Sequence, residues 1–316
     1  MLLRVVAILL LSTVSVGSYA EALDGWLDKM QQASMIKNYE GTLIIRQKNQ
    51  LQAMRVQHGV DENGMWETLE SLSGEARKVI RKDGKVTTVF PDRGLLTIRR
   101  DVGSSALHPR LPENREVLKK HYQLKLAGQE RVAEKTAQIL SVIPRDNYRY
   151  GFKFWLDEES GLLLKCDLLD ENGEVIEQLM FSELNILNDA PKLRSSMAQS
   201  DKYQVVDMDR GRQQQSASDW QADSLPKGFS LIRSSTKPSA HGEGLMYHMV
   251  YSDGMASVSV FVEQRVPVEM ALQGVSQMGA LNAFGKPKNG HHVTVIGEVP
   301  EATVKLIGQS VSLANR

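Results

Sequence analysis

The chain has 316 residues and sets 38 Lys and Arg against 38 Asp and Glu, a formal charge of zero. Hydrophobic residues make up 41% and charged residues 24%, which excludes disordered, collagen-like and coiled-coil chains. A neutral balance supplies no clustered cationic field for nucleic acid. The single cysteine, Cys166, rules out an internal disulfide and a Cys-rich zinc site, and the length suggests about two domains.

Arg4 is the only charge before Glu21, and the apolar run Val5–Val16 leads into Gly17, Ser18, Tyr19 and Ala20. Small residues at Ser18 and Ala20 fit the −3 and −1 positions of a secretory cleavage site, so residues 1–20 read as a signal peptide cut after Ala20. The alternative, a membrane anchor, needs about 20 apolar residues, more than this run provides. No cysteine follows the run, so the lipoprotein form of the signal is absent. The expected product is soluble and exported, with one net negative charge once Arg4 is gone, leaving 37 basic against 38 acidic residues.

Ala22–Lys37 carries Leu23, Trp26, Leu27, Met30 and Met35 at amphipathic helical spacing. Short strand signals follow at Gly41–Arg46, Met54–Val60, Trp66–Glu70, Arg77–Arg81, Lys85–Phe90 and Leu95–Arg99, with a hairpin signal at Lys82-Asp83-Gly84. Glu113–His121 is more helical, and strands resume at Tyr122–Leu126, Ala137–Ile143, Tyr148–Leu156, Gly161–Leu169 and Glu174–Leu184. Strands at this spacing predict an antiparallel meander, not the alternating order of a parallel sheet. Residues 188–218 are polar and read as a linker, although KYQVVDM within them is strand-like. Beyond them, Phe229–Arg233, Gly244–Ser252 and Ala256–Glu263 read as strands, the last two joined by Ser252-Asp253-Gly254. Lys286–Gly290 reads as a turn before His292–Gly297, and Pro300 opens a helix with Val304, Ile307 and Val311 on one face. The expected division is a signal at 1–20, a first domain at 21–187, a linker at 188–218 and a second domain at 219–316.

Catalytic patterns are absent: there is no GxSxG, Walker loop, HExxH or GxGxxG. His291 and His292 are adjacent, and neighbours on a strand point to opposite faces, so they are poorly placed to share a metal. His241 and His248 have no carboxylate at ligand spacing. Asp167, Asp170 and Glu171, like Asp157, Glu158 and Glu159, lie around turns, where charge is ordinarily solvated. A triad assembled in space stays open, but a binding protein without cofactor or metal is the favoured class.

The informative features are apolar. In YRYGFKFWL, residues 148–156, the side chains of Tyr148, Tyr150, Phe152, Phe154 and Leu156 share one face of a strand, and Trp155 sits on the other. Trp66, Phe90, Met54, Met65 and Met180 fall on neighbouring strands. Two readings compete: core packing between a curved sheet and its helices, or an acyl-chain cavity lined by aromatic and Met side chains. The cavity reading names Met54, Trp66, Phe90, Tyr150, Phe152 and Phe154. Cys166, in LLLKCDLL, reads as a buried small hydrophobe, not a reactive thiol.

Three long stretches carry a family resemblance: YEGTLIIRQKNQLQAMRVQH from Tyr39, EARKVIRKDGKVTTVFPDR from Glu75, and IPRDNYRYGFKFWLDEESGLLLKCDLLDENGEVIEQLMFSEL from Ile143. LPKGFSLIRSS, YSDGMASVSVFVE and HVTVIGEVPEATVKLI add to it in the second unit. Jointly, and over nearly the whole chain after residue 20, they resemble the RseB/MucB family, periplasmic negative regulators of an envelope-stress sigma factor. The resemblance implies an α+β fold: an unclosed, curved antiparallel half-barrel like that of lipoprotein carriers, with helices in its concavity, then a smaller α/β domain. It also implies a periplasmic location in a Gram-negative bacterium and binding to the periplasmic part of a single-span anti-sigma factor. Lipid or lipopolysaccharide acyl chains would release that partner, and self-association is a family property. A periplasmic lipid or lipoprotein carrier is the alternative, but it would need only the first domain.

Overall fold

The computed structural model describes residues 16–100, 115–193, 202–208, 218–239, 244–264, 266–267 and 269–314. Residues 1–15 of the expected signal, Glu113 and Asn114 of the expected second helix, parts of the expected linker, and His241 lie outside the described residues.

Helix α1 (Val16–Ile36) presents Leu23, Leu27 and Met30, spaced by four and three residues, as one buried stripe. Each such side chain contributes about 1.5–3 kcal/mol by leaving water. Met35 was expected on this face but is 58% exposed. Its offset of five from Met30 turns it away from a 3.6-residue stripe.

Six strands then run as a meander: β1 (Asn38–Gln47), β2 (Gln50–Asp61), β3 (Gly64–Ser71), β4 (Lys78–Lys82), β5 (Lys85–Phe90) and β6 (Leu95–Arg100). Helix α2 (Arg115–His121) leads into a second meander of β7 (Tyr122–Val132), β8 (Lys135–Pro144), β9 (Gly151–Asp157), β10 (Leu163–Leu169) and β11 (Val175–Leu187). The two meanders join through β1 and β11, and β12 (Gln204–Asp207) adds to the far edge. The result is an open twelve-stranded sheet with edges at β12 and β7. It is antiparallel except for β12, which pairs parallel to β6, Val205 opposite Leu96. Part of the expected linker is thus built into the sheet. One face is covered by α1 and α2, with Leu27 and Leu118 packing against Leu140, Val142, Phe154 and Leu163.

The second unit comprises β13 (Trp220–Ala222), β14 (Ser230–Pro238), β15 (Leu245–Ser252), β16 (Ser257–Gln264), β17 (Gly274–Met278), β18 (Leu281–Lys288), β19 (His291–Gly297), α3 (Glu301–Ser310) and β20 (Val311–Leu313). Six of these strands form one sheet in the order β14-β15-β16-β19-β18-β17. Alternate residues Val258, Val260 and Val262 pack with Val293 and Val295 beneath Val304 and Ile307 of α3. Val311, expected on the helix, begins β20 instead. The expected turn at Lys286–Gly290 shrinks to Asn289-Gly290, both with positive φ, so Lys286–Lys288 stay in the strand.

Candidate functional site: a clasp and a cavity between the two sheets

The expected strand at residues 148–156 begins only at Gly151. Its first three residues belong to a loop that turns on Asp146. Asp146 Oδ1 accepts the Tyr148 N–H and the Arg149 Nε–H, each at 3.0 Å, and Oδ2 accepts Arg149 Nη2 at 3.0 Å. This holds the Arg149 guanidinium pointing at the second unit. There Nη1 donates to Asp253 Oδ2 at 2.6 Å and Nη2 to the Lys227 carbonyl at 2.7 Å. The Arg149 and Asp253 side chains are both fully buried. The guanidinium lies 5.5 Å from the Tyr122 ring and 5.3 Å from the Phe229 ring, one from each unit.

Asp253 is held from the other side as well. It sits in the turn between β15 and β16, where its Oδ1 accepts the N–H groups of Met255 and Ala256. Its Oδ2 also accepts the Tyr122 hydroxyl at 3.1 Å. Every lone pair needed to keep a buried carboxylate is therefore satisfied, the condition under which a desolvated ion pair persists. Burial, then the Asp253 charge, pushes the Tyr122 hydroxyl well above its ordinary pKa. His121 packs alongside, and burial, then Arg149, holds its pKa below the usual histidine value. Gly228 faces that imidazole with φ of 90°, and a Cβ there would lie 2.4 Å from Nε2, so the approach requires glycine.

A second set of contacts closes the other end of the interface. Asn282 Nδ2 donates to the Tyr150 hydroxyl at 3.0 Å and to the Val299 carbonyl at 2.8 Å. Thr303 Oγ1 donates to the Tyr148 carbonyl at 2.6 Å. Tyr150, Leu168 and Ala280 form a small apolar cluster across the junction.

Between the two sets lies a cavity of about 700 Å³. Ile45, Phe152, Cys166, Leu168 and Leu179 of the large sheet form one wall, and Leu281 and Ile296 of the small sheet with Met255 of its β15–β16 turn the opposite one. Gln47, Glu177, Gln178, Ser257, Ser259 and Glu298 are among its polar lining residues. Cys166 is 8% exposed and is the small apolar wall residue expected from its sequence context. Burial raises its thiol pKa, which disfavours the reactive thiolate.

Of the six residues expected to line an acyl cavity, the structure brings Tyr150 and Phe152 to this one. Phe154 stacks on Phe152 at 5.8 Å but is fully buried in the core facing α1. Met54 is core with Leu43, Val56 and Leu69. Trp66 is buried against Gly59, and Phe90 lies at the end of β5 with the Arg93 guanidinium 5.3 Å from its ring. Trp155, the break in the alternation, is on the opposite face from Phe154, between Lys153 and Lys165, with its Nε1–H on Glu130. Among the described residues no group of three His, Cys, Asp or Glu is placed to hold a metal, and His292 is buried while its neighbour His291 packs on Trp220. Sequence reasoning missed Arg149, Asp253, Tyr122 and Asn282 as a set.

Comparison with known proteins adds independent findings. The family model described as MucB/RseB N-terminal domain matches residues 22–206, and the MucB/RseB C-terminal domain matches residues 214–312. The chain is 31% identical over 299 residues to the sigma factor AlgU regulatory protein MucB of Pseudomonas aeruginosa, covering 92% of this chain and 91% of that one. It is 26% identical over 286 residues to the sigma-E factor regulatory protein RseB of Escherichia coli K12, covering 90% and 89%. It superposes on MucB in the solved Pseudomonas aeruginosa MucA/MucB complex with a TM-score of 0.74 at 28% identity, covering 93% of this chain and all of that one. For a crystal structure of MucB bound to MucA(peri), the TM-score is 0.72 at 29% identity, with the same coverage.

Proposed function

The chain belongs to the MucB/RseB family of sigma-factor regulatory proteins, and from that membership we propose that it binds the periplasmic segment of a membrane-spanning anti-sigma factor and shields it from proteolysis. The observation that carries the reading is the likeness, across both units, to MucB held in complex with MucA. The family is one of regulatory binding proteins, and the chain's lack of a catalytic pattern agrees with that role.

We further propose that residues 1–20 are removed on export to the periplasm. Residues 21–187 then act as the lipid-sensing domain, 188–218 as the connection and 219–316 as the partner-binding domain. An acyl chain enters the space between the sheets, against Tyr150 and Phe152, and its entry weakens the hold on the partner. Lipid and partner must then be negatively coupled, since a ligand that binds both states equally shifts nothing. Support for the lipid part comes from the size and mainly apolar walls of the cavity, which match sites for small amphiphiles. The test is protease protection of a candidate anti-sigma periplasmic domain, with and without lipopolysaccharide. The expected result is protection by this chain that lipopolysaccharide reverses. Equal cleavage with and without the chain refutes the partner role, and protection insensitive to any lipid refutes the sensing role. Loss of protection on deleting the chain from Trp220 onward is expected, and its retention would exclude a partner-binding second domain.

A further inference from the structure

Met255 belongs to the second unit, yet its side chain packs onto the core of the first. It joins the cluster that Leu23, Leu27 and Met30 of α1 form with Leu118 and Phe154. The same side chain lines the cavity. Phe152, Cys166 and Leu179 also take part in both, so the cavity wall and the packed interior beneath the helices are one continuous apolar layer. Met255 is the residue through which the second unit closes onto that layer. Its backbone is fixed. In the turn 252–256, Ser252 Oγ accepts the Gly254 N–H at 2.9 Å and donates to the Ala256 carbonyl at 2.7 Å. Asp253 Oδ1 accepts the N–H groups of Met255 at 2.9 Å and Ala256 at 2.8 Å, and Gly254 supplies the reversal with φ of 97°. Arg149 of the first unit grips the same Asp253. A turn tied in this way presents its side chain at a set distance from the opposite wall. The side chain itself is a half-buried, unbranched thioether, the kind that fills an irregular gap and can be pushed aside.

We propose that Met255 is the stop that sets how long an alkyl tail the cavity accepts. A tail lies along Phe152 and Leu168 and ends against the Met255 side chain. Methylenes up to the stop leave water for apolar walls. A longer tail must push Met255 out of its place against the core beneath α1 and α2, so each further methylene gains contacts only by removing contacts already made. The proposal rests on the acyl-binding reading above and adds to it the residue that determines tail length. It makes no demand on the head group, and it applies to the acyl chains of a lipopolysaccharide as it does to those of a neutral amphiphile.

The test is a series of maltosides with tails from octyl to tetradecyl, each below its micelle concentration, titrated calorimetrically into the full chain after signal removal. Affinity is expected to rise about fourfold per methylene up to one tail length, and by less than about twofold per methylene beyond it. Met255→Ala, with folding confirmed by circular dichroism, removes Cγ, Sδ and Cε from the end of the cavity, so the break is expected about three methylenes later. Leu281→Ala trims the wall of the same cavity away from the stop. It is expected to lower affinity for every tail and to leave the break where it was. A rise without any break, a break that stays in place in Met255→Ala, or one that moves equally in Leu281→Ala would overturn the stop and leave the acyl reading standing. No binding by any maltoside would overturn both.

Discussion

Replacing Arg149 by Met is the sharpest test of the junction between the two units. The side chain is fully buried and donates four hydrogen bonds, two to Asp146 within its own loop and two, to Asp253 and Lys227, across the junction. Met keeps most of the stem volume and removes the charge, so the loss falls on the electrostatic part. Breaking a buried pair by deleting one partner costs about 3–5 kcal/mol, since the other charge is left without compensation. Asp253 would keep the Tyr122 hydroxyl and the N–H groups of Met255 and Ala256. The lower end therefore applies, about 3 kcal/mol or roughly a hundredfold in the ratio of docked to undocked units. Each unit keeps its own valine- and leucine-rich core, to which Arg149 does not contribute. The expected outcome in scanning calorimetry is a transition that splits in two. Small-angle scattering should show a larger radius of gyration below the first of them. One cooperative transition at the unaltered midpoint, with unchanged scattering, would refute the claim that this pair holds the units together.

Tyr150→Phe removes the acceptor for one of the two Asn282 hydrogen bonds while Val299 keeps the other, so urea denaturation should report a loss of about 1 kcal/mol. Phe154→Ala should cost about 3–5 kcal/mol as a core truncation, whereas Phe152→Ala, at a part-exposed cavity wall, should cost less and lower amphiphile affinity; the reverse ranking would show the two rings misassigned. Burial lowers the pKa of His58, His121 and His292 in the folded chain, so the folded state binds fewer protons than the unfolded one. The stability they contribute is full above the unfolded value of about 6.5 and is lost as pH falls from there toward the lowered folded values. The thermal midpoint should drop between pH 7 and pH 5, and a midpoint that holds or rises across that interval would contradict the assignment.

The legible parts of this fold were those with local signatures. Asp83-Gly84, Asn289-Gly290 and the β15–β16 turn announce hairpins, and the stripe Leu23, Leu27, Met30 announces α1. The hairpin between β7 and β8 turns on Ala133 and Glu134, both at positive φ without a glycine, so the extension of β7 to Val132 left no sequence mark. Of the aromatic face read at residues 148–156, Phe152, Phe154 and Leu156 lie on β9 while Tyr148 and Tyr150 fall in the loop before it, and the face divides by depth. Phe154 is fully buried in one cluster with Leu23, Leu27 and Met30 of α1, while Phe152, two residues nearer the junction, reaches the cavity. Alternation assigns a side but not a position along it. Arg149 was invisible for a different reason: its partner Asp253 is 104 residues away, and an isolated arginine in a strand-like run is ordinarily solvent-facing.

Clasp and cavity are not independent, because Met255 and Ala256 bind the Asp253 carboxylate through their N–H groups and also line the cavity, and Tyr122 and Tyr150 take part in both. The cavity walls come from both sheets, so a ligand that fills the space gains contacts only while the units are docked. By linkage it must then favour docking, and docking must favour it, by the same factor. Arg149→Met, which weakens docking by roughly a hundredfold, should bind a dodecyl-chain amphiphile such as dodecyl maltoside, used as probe, more weakly than the unaltered chain. Titrating the probe into that variant should bring its enlarged radius of gyration back down. A radius that grows on titration would mean that the ligand prefers the separated units. Displacement of a partner would then come from opening the junction, and not from a docked form that the partner cannot share.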